Sequence, residues 1–279
     1  MAGPELLTAT APDGARLAAA VHGTAGPLVL MIPGLGATRH VYDPVLPALV
    51  GRGLRCAVMD NRGVGESDVT DGPYTMVQLA ADAVSVLDAL GVDRAHIFGA
   101  SMGGFIAQWV AIGHPDRVER LVLACTGPGR TNAVKAKPEA TAKLLGKGAT
   151  TPAGAYRIAC EVLYAPEFAA AHPEFIEAQV AERARHPVAA RAFQGQQAAS
   201  WGHDAWERLP EIAAPTLVIH GTADVVMPPG NAERLADRIP GSRLVLLEGL
   251  GHLLFHEEPD EFGAIVAPFL LGAEDDQEI

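Results

Sequence analysis

Residues 95–113, AHIFGASMGGFIAQWVAIG, decide the fold of this 279-residue chain. The stretch begins with a short apolar strand at 96–98 and continues as a helix over 102–112. Between them lies Gly99-Ala100-Ser101-Met102-Gly103, which fits the pattern G-x-S-x-G. This pattern between a strand and a helix forces a sharp reversal of the chain, so the serine hydroxyl projects from the edge of the sheet. Glycines on either side let neighbouring backbone pass without a Cβ clash. The stretch therefore predicts Ser101 as a nucleophile.

Apolar strands alternate with helices on both sides of this stretch. Such alternation indicates βαβ units and an α/β fold with a mostly parallel sheet that is buried on both faces. The predicted strands are 6–21 (two short strands around a turn), 27–32, 54–59, 96–98, 118–125, 216–220 and 243–247. The predicted helices outside the middle of the chain are 42–51, 74–90, 102–112 and 259–271.

The alternation stops after Gly127. Residues 131–211 are rich in Ala, Lys, Arg, Glu and His, with helix-like stretches interrupted by Pro and Gly and with no strong strand. The strand pattern then resumes at 216. We therefore predict one core domain, formed by 1–127 and 212–279, and a helical cap at 128–211 inserted between two sheet strands. The acidic tail 274–278 is expected to be frayed.

Composition and charge limit the possible partners. Apolar residues make up 49% of the chain and charged residues 19%, so a large core can form. The formal net charge of -12 disfavours nucleic acids and anionic membranes, because both attract basic patches. The start of the chain lacks the features of a signal peptide, and no apolar run approaches the roughly 20 residues that span a bilayer. A cytoplasmic enzyme acting on a small molecule is the expectation, with the oligomeric state left open.

A serine nucleophile needs a histidine as general base and a carboxylate that holds this histidine in the right tautomer. After a nucleophile at a strand-to-helix turn, the chain order should be acid and then histidine. Asp224 follows the strand at 216–220, and His252 follows the strand at 243–247. Both residues thus lie at the carboxyl ends of strands, and we predict a triad of Ser101, Asp224 and His252.

Other residues fit these roles less well. The segment after the strand at 118–125, where an acid could also lie, contains no carboxylate. His256 is expected at the start of the final helix, and His220, at the end of a strand, is expected to be structural. The remaining histidines have no comparable context and are expected on the surface or in the core: His22, His40, His96, His114, His172, His186 and His203.

Two backbone amides are candidates for an oxyanion hole. A tetrahedral intermediate develops negative charge that preorganised N–H groups stabilise. One donor should be the amide of Met102, the residue after the nucleophile, and the other should come from the loop Pro33-Gly34-Leu35-Gly36, where Leu35 is the candidate. The glycine-containing stretch 60–67 has no phosphate-binding signature, and we interpret it as a structural turn that supports the oxyanion loop.

With this combination of motifs, the chain resembles the α/β-hydrolase superfamily over nearly its whole length. Within it, the chain is similar to the lidded group of esterases, enol-lactonases, cofactor-free haloperoxidases and carbon–carbon bond hydrolases. The resemblance implies an eight-stranded, mostly parallel sheet flanked by helices, with a helical lid over the active site. The blocks that carry it are Pro33-Gly34-Leu35-Gly36, Asp60-Asn61-Arg62-Gly63-Val64-Gly65-Glu66-Ser67, Gly99-Ala100-Ser101-Met102-Gly103-Gly104, His220-Gly221-Thr222-Ala223-Asp224 and Gly251-His252.

Departures from the family pattern reduce the number of activities that the resemblance allows. Many relatives have His-Gly where this chain has Pro33-Gly34. Dehalogenases and epoxide hydrolases of this fold use an aspartate nucleophile, and Ser101 argues against both. Carbon–carbon hydrolases tend to have tryptophan after the catalytic histidine, whereas here the apolar run 253–255 follows and resembles the esterase and lactonase members.

The resulting hypothesis is a serine hydrolase that cleaves a carboxylic ester or lactone of a small to medium, largely apolar substrate through an acyl-enzyme. No metal or organic cofactor is expected. Phe193 and Trp201 of the predicted cap are candidates for lining an apolar pocket. Two alternatives stay open: haloperoxidase, perhydrolase or carbon–carbon bond chemistry by the same triad, and a ligand receptor or binding module with a slow triad. Fold-level analogy does not choose the substrate.

Overall fold

Eight strands form a single sheet in a computed structural model, which describes residues 3–273 of the chain. Their order across the sheet is β1-β2-β4-β3-β5-β6-β7-β8. The strands β1 and β2 form an antiparallel hairpin, β2 pairs antiparallel with β4, and the other neighbours are parallel. The predicted α/β fold with an eight-stranded, mostly parallel sheet is confirmed. The acidic tail predicted to be frayed lies outside the described residues. The strands are β1 Glu5–Thr10, β2 Arg16–His22, β3 Leu28–Ile32, β4 Arg55–Met59, β5 Ala95–Ala100, β6 Val118–Ala124, β7 Thr216–Gly221 and β8 Arg243–Leu247.

Helices cover both faces of the sheet. The helices are α1 Leu46–Val50, α2 Met76–Ala89, α3 Met102–Gly113, α4 Pro138–Leu144, α5 Pro152–Leu163, α6 Pro166–Ala171, α7 Pro173–Arg185, α8 Ala190–Gly202, α9 Gly230–Arg238, α10 Leu254–Glu257 and α11 Pro259–Leu271. Within the described part of the chain, none of them is long and apolar enough to cross a membrane.

Alternate residues of the central strands belong to opposite apolar clusters. In β5, Ile97 belongs to the apolar cluster that includes residues of α2, α3 and α9, whereas its neighbour Phe98 belongs to the cluster that includes residues of α1 and α11. Successive side chains of a strand point to opposite faces, so one continuous apolar strand can fill both layers. This accounts for the unbroken apolar runs in the sequence. The parallel pairing of β3 to β8 places their carboxyl ends at one edge of the sheet.

Three local predictions differ from the structure. The predicted helix at 42–51 is two elements, a 3-10 helix at Arg39–Tyr42 and α1, because Pro47 must lie in the first turn of a helix. The helix α9 was not predicted, because its polar face masks a short apolar stripe. His256 does not begin the final helix as predicted but lies in the separate short helix α10.

Between β6 and β7 the chain forms α4 to α8 and a 3-10 helix at Trp206–Glu211, a segment that we name the insertion (128–211). Its two ends are hydrogen-bonded to each other. The amide of Ala205 donates to Pro128 O at 3.1 Å, and the amide of Arg130 donates to His203 O at 2.9 Å. The insertion therefore leaves and rejoins the sheet at one place. Its status as a separate cap domain stays a prediction.

Candidate active site

Ser101 lies at the sharp turn between β5 and α3, with φ 57°. Non-glycine residues rarely adopt a positive φ, so the surrounding contacts must hold this conformation in place. The amide of Ser101 donates to Ala124 O at 3.0 Å, and Thr126 Oγ1 donates to Ser101 O at 2.8 Å. A Cβ at Gly103 would lie 1.9 Å from Ile32 O, so only glycine fits beside the nucleophile. The sequence-predicted turn is present with its strand and helix.

Asp224 and His252 meet at the carboxyl ends of β7 and β8. His252 Nδ1–H donates to Asp224 Oδ2 at 2.7 Å, and both side chains are buried. The other carboxylate oxygen, Oδ1, accepts the amides of Val226 and Met227, each at 2.8 Å. Burial raises the pKa of Asp224, but the charge of His252 and hydrogen bonds from His220 and His252 outweigh it and lower this pKa to about 2. Asp224 is therefore ionised at neutral pH.

His220, which the sequence predicted to be structural, contacts the acid, and sequence reasoning did not identify this contact. His220 Nε2 lies 3.1 Å from Asp224 Oδ2 and donates to Met227 O at 2.6 Å. The residue is fully buried at the end of β7. The available sequence signal was the four-residue spacing between His220, near the end of β7, and Asp224, because the chain turns back at this point. His220 thus fixes the orientation of the Asp224 carboxylate.

The loop that carries His252 is tied to the insertion through Glu257. The Glu257 carboxylate accepts the amide of Gly251 at 3.2 Å and the amide of Ala165, in the insertion, at 2.9 Å. In addition, the amide of Leu253 donates to Leu163 O at 2.9 Å. Burial raises the pKa of Glu257. No local motif predicts these hydrogen bonds between the loop and the insertion, because they join segments about ninety residues apart.

The two candidate oxyanion donors lie on either side of the nucleophile. Met102 is the first residue of α3, and Leu35 lies in the loop after β3. A Cβ at Gly34 would lie 3.2 Å from Ser101 Cβ, so this loop packs directly against the nucleophile. Across residues 3–273, neither the Leu35 amide nor the Met102 amide donates to a protein acceptor, whereas the Gly36 amide donates to Gln196 Oε1 at 2.8 Å.

The turn at 60–67 braces this loop, which matches the supporting role expected from the sequence. Asn61 Nδ2 donates to Pro33 O at 2.9 Å. The amide of Arg39 donates to Asp60 Oδ1 at 2.7 Å. Gln196 of the insertion donates to Arg62 O at 2.9 Å while it accepts from Gly36, so a single side chain connects the loop, the turn and α8.

A cavity of about 400 Å³ lies above Ser101, between the core and the insertion. Ser101, His252 and Leu35 line it, whereas Asp224 and Met102 are buried behind its wall. Of the two aromatic residues proposed for the pocket, Phe193 lines the cavity. Trp201 does not: it lies farther along α8 with 61% of its surface exposed.

One cluster within 3–273 could hold a metal ion, and it lies at the rim of the cavity rather than beside Ser101. His40, Glu182 and His186 each offer an atom within 4.8 Å of the others. These side chains already have partners: His40 Nδ1 lies 3.0 Å from Asp43 Oδ2, His186 Nε2 lies 3.1 Å from Glu182 Oε1, and Glu182 also accepts from Arg185. The ion pairs of the cluster lie within the core segment or within the α7 segment, and the His40 and His186 rings stack across the two with centroids 5.0 Å apart.

Comparisons with known proteins place these features in one family. A family model described as the α/β hydrolase fold matches residues 27–259. The chain is 31% identical over 260 residues to the pimeloyl-[acyl-carrier protein] methyl ester esterase of Neisseria meningitidis, a match covering 89% of this chain and 78% of that protein. It is 31% identical over 212 residues to 3-oxoadipate enol-lactonase 2 of Acinetobacter baylyi, covering 74% and 75%.

A solved structure supports the same conclusion. The crystal structure of a hydrolase from Pseudomonas aeruginosa PA01 aligns with a TM-score of 0.82 and 35% identity, covering 95% of this chain and 98% of that chain. Other relatives carry the names of a carbamate hydrolase and a non-heme bromoperoxidase, so the relatives share a fold and differ in activity. Together with the turn at Ser101 and the pair of Asp224 and His252, the matched model shows that this chain belongs to the α/β-hydrolase family.

Proposed function

We propose that this hydrolase cleaves a carboxylic ester or lactone through an acyl-enzyme formed on Ser101. The observation that carries the proposal is the joint placement of Ser101 and His252 on the wall of one cavity, with the Asp224 carboxylate 2.7 Å behind His252 Nδ1. An ionised carboxylate in this position fixes the tautomer in which the other ring nitrogen can accept a proton. This placement supports the triad predicted from the sequence.

In the proposed reaction, Ser101 Oγ attacks the carbonyl carbon while His252 Nε2 takes the hydroxyl proton. The carbonyl oxygen becomes an oxyanion, and the amides of Leu35 and Met102 stabilise it, each worth about 3 kcal/mol. His252 then protonates the departing alkoxide, which leaves the acyl group on Ser101. A water molecule then attacks the acyl carbonyl carbon while His252 Nε2 accepts a proton from it. The bond between the acyl carbon and Ser101 Oγ breaks, His252 returns the proton to Ser101 Oγ, and the carboxylic acid leaves.

The cavity supports a small to medium, largely apolar substrate. Its volume of about 400 Å³ lies within the usual range for small-molecule sites. Aliphatic and aromatic side chains from the insertion, among them Leu144, Ala155, Leu163 and Phe193, form much of its wall. We propose that the insertion acts as a lid that excludes water during the reaction. The names of the esterase and enol-lactonase relatives support an ester or lactone as the bond cleaved.

The remaining expectations rest on the sequence alone. We propose a cytoplasmic enzyme whose partner is its small-molecule substrate, with no nucleic-acid or membrane partner, in line with its net charge of -12. Fractionation of the producing cell, with activity assayed in each fraction, would test the location.

Labelling with a fluorophosphonate, followed by intact-mass measurement, tests the proposal. We expect one adduct on the wild type, none on Ser101→Ala, and slowed labelling of His252→Ala, with Ser242→Ala as the matched control that labels like wild type. A panel of esters and lactones should then be turned over many times per enzyme. Labelling without turnover would instead favour the slow receptor that the sequence left open, and the absence of any adduct would overturn the activated serine.

A further inference from the structure

Arg183 is a charged side chain in the wall of an otherwise mostly apolar cavity. It lies on α7, is half-buried, and among the described lining residues is the one Lys or Arg. Its Nη1 donates to His186 O at 3.3 Å, and its guanidinium lies 5.9 Å from the centre of the Tyr156 ring. Throughout 3–273, no carboxylate pairs with it. Most of the five N–H groups of this guanidinium are therefore available to a ligand.

Neighbouring charges do not compensate Arg183. Glu182 also lines the cavity, but its carboxylate accepts from Arg185 and lies 3.1 Å from His186 Nε2. By contrast, the buried Arg62 has both Asp82 and Asp13 as partners, at 2.6 and 2.7 Å. Burial lowers the pKa of Arg183, as expected for a cation without an ion pair. A half-buried charge of this kind is unfavourable unless a partner arrives.

The guanidinium faces the same loop that contacts the nucleophile. A Cβ at Gly36 would lie 3.2 Å from Arg183 Nη2 and 3.0 Å from the Phe193 ring, whereas a Cβ at Gly34 would lie 3.6 Å from Ser101 Oγ. Two residues of extended chain span at most about 7 Å. Arg183 and Ser101 therefore face one cavity from the two ends of a short segment, a separation that a small substrate can bridge.

We propose that Arg183 binds a carboxylate carried by the acyl part of the substrate, so that the preferred substrates are acidic esters or lactones. A guanidinium matches a carboxylate in a bidentate pair, and the apolar wall accommodates the chain between the carboxylate and the ester carbonyl. This inference rests on the proposed function and makes Arg183 a determinant of substrate specificity.

Paired substrates test the inference. We would measure kcat and KM for the monoethyl esters of succinic, glutaric and adipic acids, each against the matching ester whose free acid is replaced by a primary amide. For at least one chain length, the wild type should prefer the acid by about 10- to 100-fold in kcat/KM, mainly through KM. Arg183→Met should bring this ratio close to one, and Arg183→Lys should restore part of it. Arg191→Met, an exposed arginine of α8 that lies outside the cavity, should keep the wild-type ratio.

Two results would overturn the inference: no preference for the acid in the wild type, or an Arg183→Met variant that keeps the wild-type ratio. Binding of free glutarate and adipate to Ser101→Ala, measured by calorimetry with and without Arg183→Met, gives a readout that needs no turnover. Binding that depends on Arg183 supports the inference even if no ester is cleaved, and binding that does not depend on it counts against the inference. Failure of the proposed function would appear separately, as the absence of a fluorophosphonate adduct on the wild type.

Discussion

The two walls of the cavity are built in different ways. The core wall, which we define as Gly34–Thr38, Ser101 and His252, comes from loops at strand ends, where amides and side chains are bonded to the sheet or to each other. The insertion wall comes from α4, α5, α7 and α8, whose side chains pack on neighbouring helices. Reacting groups need positions fixed within fractions of an ångström, whereas recognition of a substrate tolerates variation. From this comparison we propose that the sheet fixes the chemistry and that the helices of the insertion determine which substrate is accepted.

Asp224→Asn tests the core wall and should have the largest effect. The amide can present its N–H group to His252 and favour the wrong tautomer, so kcat should fall by about 10³- to 10⁴-fold with KM changed less than threefold. Steady-state kinetics on one ester measures both constants. Asp237→Asn, an exposed aspartate on α9, is the matched control. An effect mainly on KM would contradict the assignment of chemistry to the core wall and of recognition to the insertion wall, because Asp224 would then contribute to substrate binding.

His256 should make the stability of the protein sensitive to acid at the seam between the two walls, which we define as the contacts of His256 with Tyr164 of the insertion and Val41 of the core. This buried histidine accepts from Tyr164 OH at 2.9 Å and donates to Val41 O, and burial lowers its pKa from 6.5 to about 4. Between these values the unfolded chain binds more protons than the folded one, so stability falls as the pH is lowered from 6.5 to 4. The loss should approach 3 kcal/mol, about 1.4 kcal/mol for each pKa unit.

Denaturant unfolding at several pH values measures this dependence. The loss between pH 7 and pH 4 should be smaller by about 3 kcal/mol in His256→Phe than in the wild type. His172→Gln, an exposed histidine of the insertion, should keep the wild-type slope. Equal slopes for the wild type and His256→Phe would show that His256 is not buried as a neutral group at the seam.

The smallest expected effect comes from the insertion wall. Phe193→Ala removes part of the apolar wall, so KM for an apolar ester should rise about five- to tenfold while kcat stays nearly constant. Trp201→Ala is the matched control on the same helix, because Trp201 lies outside the cavity. An equal rise in KM for both variants would mean that α8 acts as a unit, and a fall in kcat for Phe193→Ala would assign part of the catalytic geometry to the insertion.

The core wall could be predicted from sequence because its signals are local. The glycine-flanked serine, Asp224 and His252 each follow an apolar strand, and parallel strands bring their carboxyl ends to one edge whatever lies between them. The turn conformation of Ser101 leaves a trace in the glycines that must surround it. The sequence signals of these features each lie within a few residues, and so do the signals for the succession of strands and helices along the chain.

The insertion wall could not be predicted, because it depends on how helices dock. Phe193 and Trp201 share a helix, but a separation of eight residues displaces them by about 12 Å along its axis, beyond the end of the cavity for Trp201. The orientation of Arg183 depends on α7 crossing above Gly36, far away in sequence. Likewise, Gln196 and Glu257 act through hydrogen bonds to distant backbone that no periodicity encodes.

The paired ends of the insertion lead us to expect that it can be exchanged as one unit. Since Gly129 and Asp204 form a β-bridge, the segment between them begins and finishes at one point of the fold. A segment of another length can be spliced in there without stretching β6 or β7, provided that its own ends meet. We expect chimeras that join this core at Gly129 and Asp204 to the corresponding segment of a relative to acquire the substrate selectivity of that relative, while the conformation around the nucleophile stays unchanged.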